Sequence, residues 1–264
     1  MVVSGSRPRS FAAAVVLVVL VLAVGAGSAL AEQYVALGDS YSSGVGTRVF
    51  FEETCKRSLY AYPELIAAQR ANTQLVFAAC TGAKTGDVLN RQISSLSSST
   101  AIVTITIGGN DAGFSEVITQ CALPWPWSCD SNIRNAQSFI RSTLPGLLNN
   151  VYAAIRSHAP NARVIVLGYP RLFMGVDCNA GTFFSEEEMR RLNETADLLR
   201  DVTRERALAA GDVFEDAIPP FTGHAICSSS EWLNGLSNPV EESYHPNRTG
   251  HASGYEPLVR SVIG

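Results

Sequence analysis

A serine, a histidine and two donor-rich loops stand along this chain in an order that suits acyl-transfer chemistry. Gly38-Asp39-Ser40-Tyr41-Ser42 follows the short apolar run Tyr34-Val35-Ala36-Leu37, and Tyr244-His245-Pro246-Asn247 comes far downstream, just before a short apolar C-terminal segment. A serine hydroxyl is nearly inert at its own pKa. It becomes a nucleophile only when a base within hydrogen-bond reach takes its proton. Between the two fragments lie Thr81-Gly82-Ala83 and Ile107-Gly108-Gly109-Asn110-Asp111, each directly after an apolar run. A tetrahedral intermediate needs about two or three donors near 3 Å, and a backbone N–H beside Gly82 with the side-chain amide of Asn110 would suit that need.

Each residue also has a structural reading. Ser40 alone is a turn or helix-cap residue, and the Gly-x-Ser-x-Gly elbow of α/β-hydrolases is absent because position 42 is serine. Asn110 is a natural helix cap, and Gly82 a turn residue with positive φ. Of the four histidines, His158 falls at a helix C-terminus, His224 lies beside Cys227 in a loop, and His251 falls in the final helical region. Only His245 sits on a loop before a helix, with Pro246 expected to start that helix. The constellation, not any single member, makes Ser40 the candidate nucleophile and His245 the candidate base.

The elements that must position these residues are readable. Extended apolar runs recur at Tyr34–Leu37, Leu75–Ala79, Ile102–Ile107, Val164–Leu167 and Val213–Phe214. The run at 102–107 is β-branched throughout and that at 164–167 wholly apolar, and both suit strands covered on both faces of a parallel sheet. Helical patterns lie between them: Pro63–Arg70; Ile133–His158, which Pro145 should kink or split; and a helix opened by the capping box Ser185-Glu186-Glu187-Glu188 and running to about Ala209. Strands alternating with helices make an α/β layered fold, in which ligands bind beyond the carboxyl ends of the strands. The loops carrying Ser40, Gly82 and Asn110 fall at the ends of the first three strands.

The first 31 residues read as a secretory signal. Arg7 and Arg9 precede an apolar stretch from Phe11 to Gly27, and Ala29-Leu30-Ala31 suits cleavage. The stretch is long for a signal, so an uncleaved anchor in the cell envelope is the competing reading. Cleavage would leave residues 32–264 as one domain, with no internal repeat or low-complexity linker. The leader holds two arginines and no acid, so its loss takes the formal net charge from −4 to −6. That balance argues against a nucleic-acid partner and against adhesion to anionic membranes. All six cysteines (55, 80, 121, 129, 178 and 227) lie after the leader, and an even count behind a signal reads as disulfides. Short loop closure favours Cys121–Cys129, with Cys55–Cys80 and Cys178–Cys227 as the simplest completion. No Cys-x-x-Cys pair or histidine-rich cluster suggests zinc.

Four blocks taken together resemble the SGNH (GDSL) hydrolases, secreted actinobacterial lipases and esterases in particular. They are Ala36–Gly44, Cys80–Ala83, Ile107–Asp111 and Ser243–Asn247, in the family's order and spanning most of the chain after the leader. The resemblance implies a three-layer, flavodoxin-like α/β fold with a mostly parallel five-stranded sheet and the same sequential cysteine pairing. It implies Ser40 as nucleophile, His245 as general base, and an oxyanion hole made by Gly82, Asn110 and the Ser40 amide. No metal or organic cofactor is implied, and the protein is read as a monomer acting on a small-molecule or lipid ester. One position departs from the pattern: the family's usual Asp three residues before the histidine is Glu242. The imidazole could therefore be oriented by Glu242 or by the carbonyl of Ser243. Two other functions compete with a secreted lipase or esterase. One is a carbohydrate deacetylase or thioesterase of the same fold, and the other a non-catalytic cell-envelope binding module. Trp125 and Trp127, between Cys121 and Cys129, either flank an acyl groove, touch a lipid surface, or pack as an ordinary loop.

Overall fold

In the computed structural model five parallel strands form one sheet in the order β2-β1-β3-β4-β5. The structure describes residues 1–5 and 31–264, so most of the expected signal segment lies outside the described residues. The body from Ala31 to Gly264 is a single compact unit. The strands are β1 (Glu32–Gly38), β2 (Thr73–Phe77), β3 (Thr100–Thr106), β4 (Arg163–Leu167) and β5 (Val213–Glu215). The helices are α1 (Ser40–Ser43), α2 (Tyr62–Gln69), the one-turn α3 (Thr85–Asp87), α4 (Phe114–Cys121), α5 (Asp130–Ser142), α6 (Leu144–His158), α7 (Glu186–Ala209), α8 (Ile218–Phe221) and α9 (Glu256–Ile263).

Consecutive residues Tyr34 to Leu37 of β1 and Val164 to Leu167 of β4 are all buried. Successive strand side chains point to opposite faces, so both faces of the sheet are covered, as the unbroken apolar runs require. The one polar side chain of β3's centre, Thr104, is spared an unpaired hydroxyl by Tyr34 Oη at 2.8 Å. The helices on the two sides follow local signals. Thr143 separates α5 from α6 beside Pro145, which has no N–H to continue the ladder. Ser185 Oγ accepts from Glu188 N at 3.2 Å while the Glu188 carboxylate accepts from Ser185 N at 3.0 Å, so α7 opens on the expected capping box.

Two expectations shift. The second strand ends at Phe77 rather than Ala79, because the N–H groups of Ala78 and Ala79 both turn to one acceptor, Ala36 O, at 2.8 and 2.9 Å. Pro246 does not start the last helix. It pairs with Leu233 in an antiparallel bridge, and Asn247 caps the helical segment that follows by accepting from Gly250 N at 3.0 Å. All six cysteines are bonded as Cys55–Cys80, Cys121–Cys129 and Cys178–Cys227.

Candidate active site

The strand order reverses direction between β1 and β3, the point where a crevice forms beyond the carboxyl ends of an open parallel sheet. Ser40 follows β1 and Asn110 follows β3, so the two residues flank that crevice. The turn at Ser40 depends on Gly38, which has φ +123° and no space for a side chain: a Cβ there would lie 2.4 Å from Thr106 O. The backbone of Gly38 is held on both sides by the Gln92 amide, which accepts from its N–H at 2.8 Å and donates to its carbonyl at 2.9 Å. Asp39 then caps α1, its Oδ1 accepting from Tyr41 N at 3.0 Å and from Thr106 Oγ1 at 2.9 Å.

The C-terminal loop meets this turn. His245 Nε2 lies 2.7 Å from Ser40 Oγ, and His245 Nδ1 lies 2.8 Å from Ser243 O. A carbonyl can only accept, so Nδ1 carries the proton and Nε2 is the bare nitrogen that receives the Ser40 hydroxyl. Burial pushes the imidazole pKa down to about 4, against a smaller upward effect of the Ser243 carbonyl. At neutral pH the ring is therefore uncharged and able to take a proton. The loop is fixed by backbone contacts: Tyr41 Oη donates to Tyr244 O at 2.6 Å, and Asn234 N to His245 O at 2.9 Å. Gly46 runs so close beneath it that a Cβ there would stand 2.4 Å from Pro246 O.

Glu242 points elsewhere. Its carboxylate is buried and ion-paired with Arg48, Nε to Oε2 at 3.0 Å. The extra methylene relative to Asp carries the charge away from the imidazole, and the Ser243 carbonyl stands where a third carboxylate would. Glu242→Gln should therefore lower kcat about tenfold or less, whereas loss of a carboxylate that orients the histidine costs about 10⁴-fold. A kcat loss near that of removing the serine would assign the orienting role to Glu242.

The candidate donors Asn110 and Gly82 stand on the other two loops. Asn110 Nδ2 gives one of its two N–H groups to Ala83 O at 3.0 Å, which ties the Asn110 loop to the residue after Gly82 and leaves the second N–H unspent. Gly82 takes φ +71° with open space where a side chain would be. Its loop is anchored by the Cys55–Cys80 bridge, by Cys80 N donating to Gly38 O at 3.0 Å, and by Thr81 N donating to Cys55 O at 3.0 Å. Among the described residues neither the Ser40 nor the Gly82 N–H has a partner. Ser40 is buried, and a buried unpaired N–H is costly unless a ligand completes it.

From Ser40 and Asn110 an apolar pocket runs between α4, α5 and α7. Val117, Ile118, Ile140, Leu192, Ala196 and Leu199 give its wall an aliphatic surface. At the level of sequence these α7 and α5 residues look like an ordinary core stripe. The other histidines lie elsewhere. His251 is buried beside Tyr62 and Tyr255 and accepts from Tyr62 N at 3.2 Å, His224 stacks on Trp232 with ring centroids 3.9 Å apart, and His158 is an exposed helix-end residue.

Residues 36–253 match the model of the GDSL-like lipase/acylhydrolase family. The chain belongs to that family. It is 44% identical to a lipase of Streptomyces rimosus over 97% of this chain and 98% of that protein. The crystal structure of the extracellular lipase of Streptomyces rimosus superposes with a TM-score of 0.83 at 46% identity, covering 88% of this chain and 99% of that one. A phospholipase A1 from Streptomyces albidoflavus superposes with a TM-score of 0.82 at 45% identity over the same shares of the two chains. The three-layer α/β fold is common to this GDSL-family member and those structures.

Proposed function

We propose that this GDSL-family protein is a secreted carboxylic-ester hydrolase of the lipase type, working through an acyl-enzyme on Ser40 with a Ser40–His245 dyad. The observation that carries this reading is the relay from Ser40 Oγ to His245 Nε2 and from His245 Nδ1 to the Ser243 carbonyl. His245 takes the Ser40 proton as Oγ attacks the ester carbonyl. The N–H groups of Ser40 and Gly82 and the free N–H of Asn110 hold the developing oxyanion. His245 then protonates the leaving alcohol, and water repeats the sequence on the acyl-enzyme. The relatives named lipase and phospholipase A1, and the apolar lining of the pocket, favour a long acyl chain over acetyl. Three disulfides accord with export, with residues 1–31 as the removed leader and residues 32–264 as the hydrolase domain.

Contact with a lipid surface belongs to the same reading. Trp125 is 92% exposed and Trp127 is 62% exposed, on an uncharged stretch closed by the Cys121–Cys129 bridge. That stretch joins α4 to α5, the helices that supply Val117, Ile118 and Ile140 to the pocket. Exposed indole rings suit a water–lipid boundary, and an uncharged loop on an acidic protein suits neutral lipid. One series of measurements tests both parts. On soluble esters of rising chain length, kcat/KM should climb by up to about fourfold per methylene, the equivalent of 0.8 kcal/mol of burial, until the pocket is filled. A profile that peaks at acetyl would point to a deacetylase instead. On phosphatidylcholine vesicles the double variant Trp125→Ser, Trp127→Ser should lose rate while keeping its rate on a soluble short ester. Equal losses on both substrates would remove the surface contact from the reading.

A further inference from the structure

The fourth strand also sends a side chain to this site. β4 is followed by Gly168-Tyr169-Pro170, and Tyr169 is 8% exposed, lining the pocket beside Ser40 and Asn110. Its hydroxyl donates to Asp39 Oδ2 and accepts from Gly109 N at 3.3 Å. Asp39 immediately precedes Ser40 and caps its helical turn; Gly109 immediately precedes Asn110. The ring leaves Gly109 little room, since a Cβ there would lie 3.3 Å from Tyr169 Cζ, and it meets Tyr41 edge-on with centroids 5.0 Å apart. Tyr41 in turn holds the His245 loop through Tyr244 O.

We propose that Tyr169 is a positioning residue for ester hydrolysis: its single hydroxyl locks the turn that carries Ser40 to the loop that carries Asn110, and so sets nucleophile and oxyanion donor at a fixed separation. The phenol is suited to the task because it needs both a donor and an acceptor function at one atom. Burial and the neighbouring Asp39 charge raise its pKa well above the ordinary tyrosine value, so the O–H remains a donor throughout the working pH range. Among the described residues no other side-chain bond joins Asp39 to the Gly108–Asn110 segment. Misplacement of reacting groups by about 1 Å costs roughly a hundredfold in rate, which is ample reason for such a brace.

Tyr169→Phe keeps the ring and deletes the link. The inference rests on the roles given above to Ser40 and Asn110, so Ser40→Ala is measured beside it. Rates of the parent and the Tyr169 and Asp39 variants are expressed per site titrated with a fluorophosphonate, which leaves misfolded protein out of the count. Ser40→Ala lacks the serine that is labelled, so its rate is expressed per mole of protein shown to be folded by circular dichroism. The expected result is a kcat about ten- to a hundredfold lower, with KM for a soluble ester changed by no more than about twofold. A second readout is the acid limb of the pH profile. Burial pushes the Asp39 carboxyl up to about 6, and the Tyr169 hydrogen bond is the largest influence pulling it back down. Losing that donor raises the Asp39 pKa further, so the carboxylate cap is lost at a higher pH as the medium is acidified, and the limb moves up. The other ionisable groups facing Asp39 or the serine are Tyr41, Tyr62, Tyr255, Asp111 and His245. The tyrosines stay protonated over this range, and His245 titrates lower, near 4. In an Asp39→Asn background, which cannot titrate, Tyr169→Phe should leave the limb where it is. A purely structural hydroxyl would lower Tm and leave kcat and the limb unmoved. That outcome, with Ser40→Ala inactive, overturns the positioning role alone; turnover retained in Ser40→Ala overturns the dyad and the brace together.

Discussion

Replacing Ser40 or His245 by alanine is expected to lower kcat by roughly 10⁶-fold, and replacing both should cost no more than replacing one. The non-additivity follows from the 2.7 Å contact between Ser40 Oγ and His245 Nε2. The serine without the base keeps its proton, and the base without the serine has nothing to activate. Neither side chain is a large part of the core, so the variants should fold, with unchanged far-UV circular dichroism and a Tm within a few degrees of the parent. Turnover within about a hundredfold of the parent in a folded Ser40→Ala protein would mean that another group makes the acyl bond. Steady-state kinetics on a soluble ester, repeated on the double variant, measures both the loss and the failure to add.

Asn110→Ala comes second in expected size, at roughly a hundredfold to a thousandfold in kcat, or about 3–4 kcal/mol of transition-state stabilisation. The effect should fall on kcat with KM nearly constant, because the amide would meet full charge only after the carbonyl oxygen has become an oxyanion. A rise in KM at constant kcat would place Asn110 in ground-state binding instead. The substitution also frees Ala83 O, now the acceptor of one Asn110 N–H. Asn110→Asp keeps the size of the side chain but offers no N–H and adds a repelling charge, so it should be at least as harmful as alanine.

Much of the fold is legible because strands buried on both faces leave runs that are apolar or β-branched throughout. Tyr34–Leu37, Ile102–Ile107 and Val164–Leu167 mark β1, β3 and β4 to within about two residues. The second run misleads because the apolar pair Ala78-Ala79 continues past the point where the hydrogen-bond ladder ends, and side-chain character does not report that departure. In the site, the glycines and polar residues after the first three strands stand out, since a parallel sheet gives its carboxyl ends to ligands. Tyr169 does not stand out. After an apolar strand, Gly-Tyr-Pro reads as an ordinary strand exit, and its value lies in a hydroxyl shared between loops distant in sequence. Glu242 is ambiguous for a related reason: one methylene decides whether a carboxylate meets His245 or Arg48, and only the packed loop decides it. The apolar pocket hides behind periodicity, because a helix lining a cavity and a helix lining a solid core carry the same stripe.

Ser40 and His245 are separated by 205 positions, and the bond from Tyr41 to Tyr244 spans almost the same length of chain. The reactive pair thus exists only after the last segment has docked onto the first loop, a closure with a large entropic cost relative to the local contacts of the helices. With the proposed dyad, a chain whose sheet has formed but whose C-terminal segment is undocked would hold the serine without its base. On that reading, hydrolytic activity reports the docking of the C-terminal segment as well as the formation of the sheet.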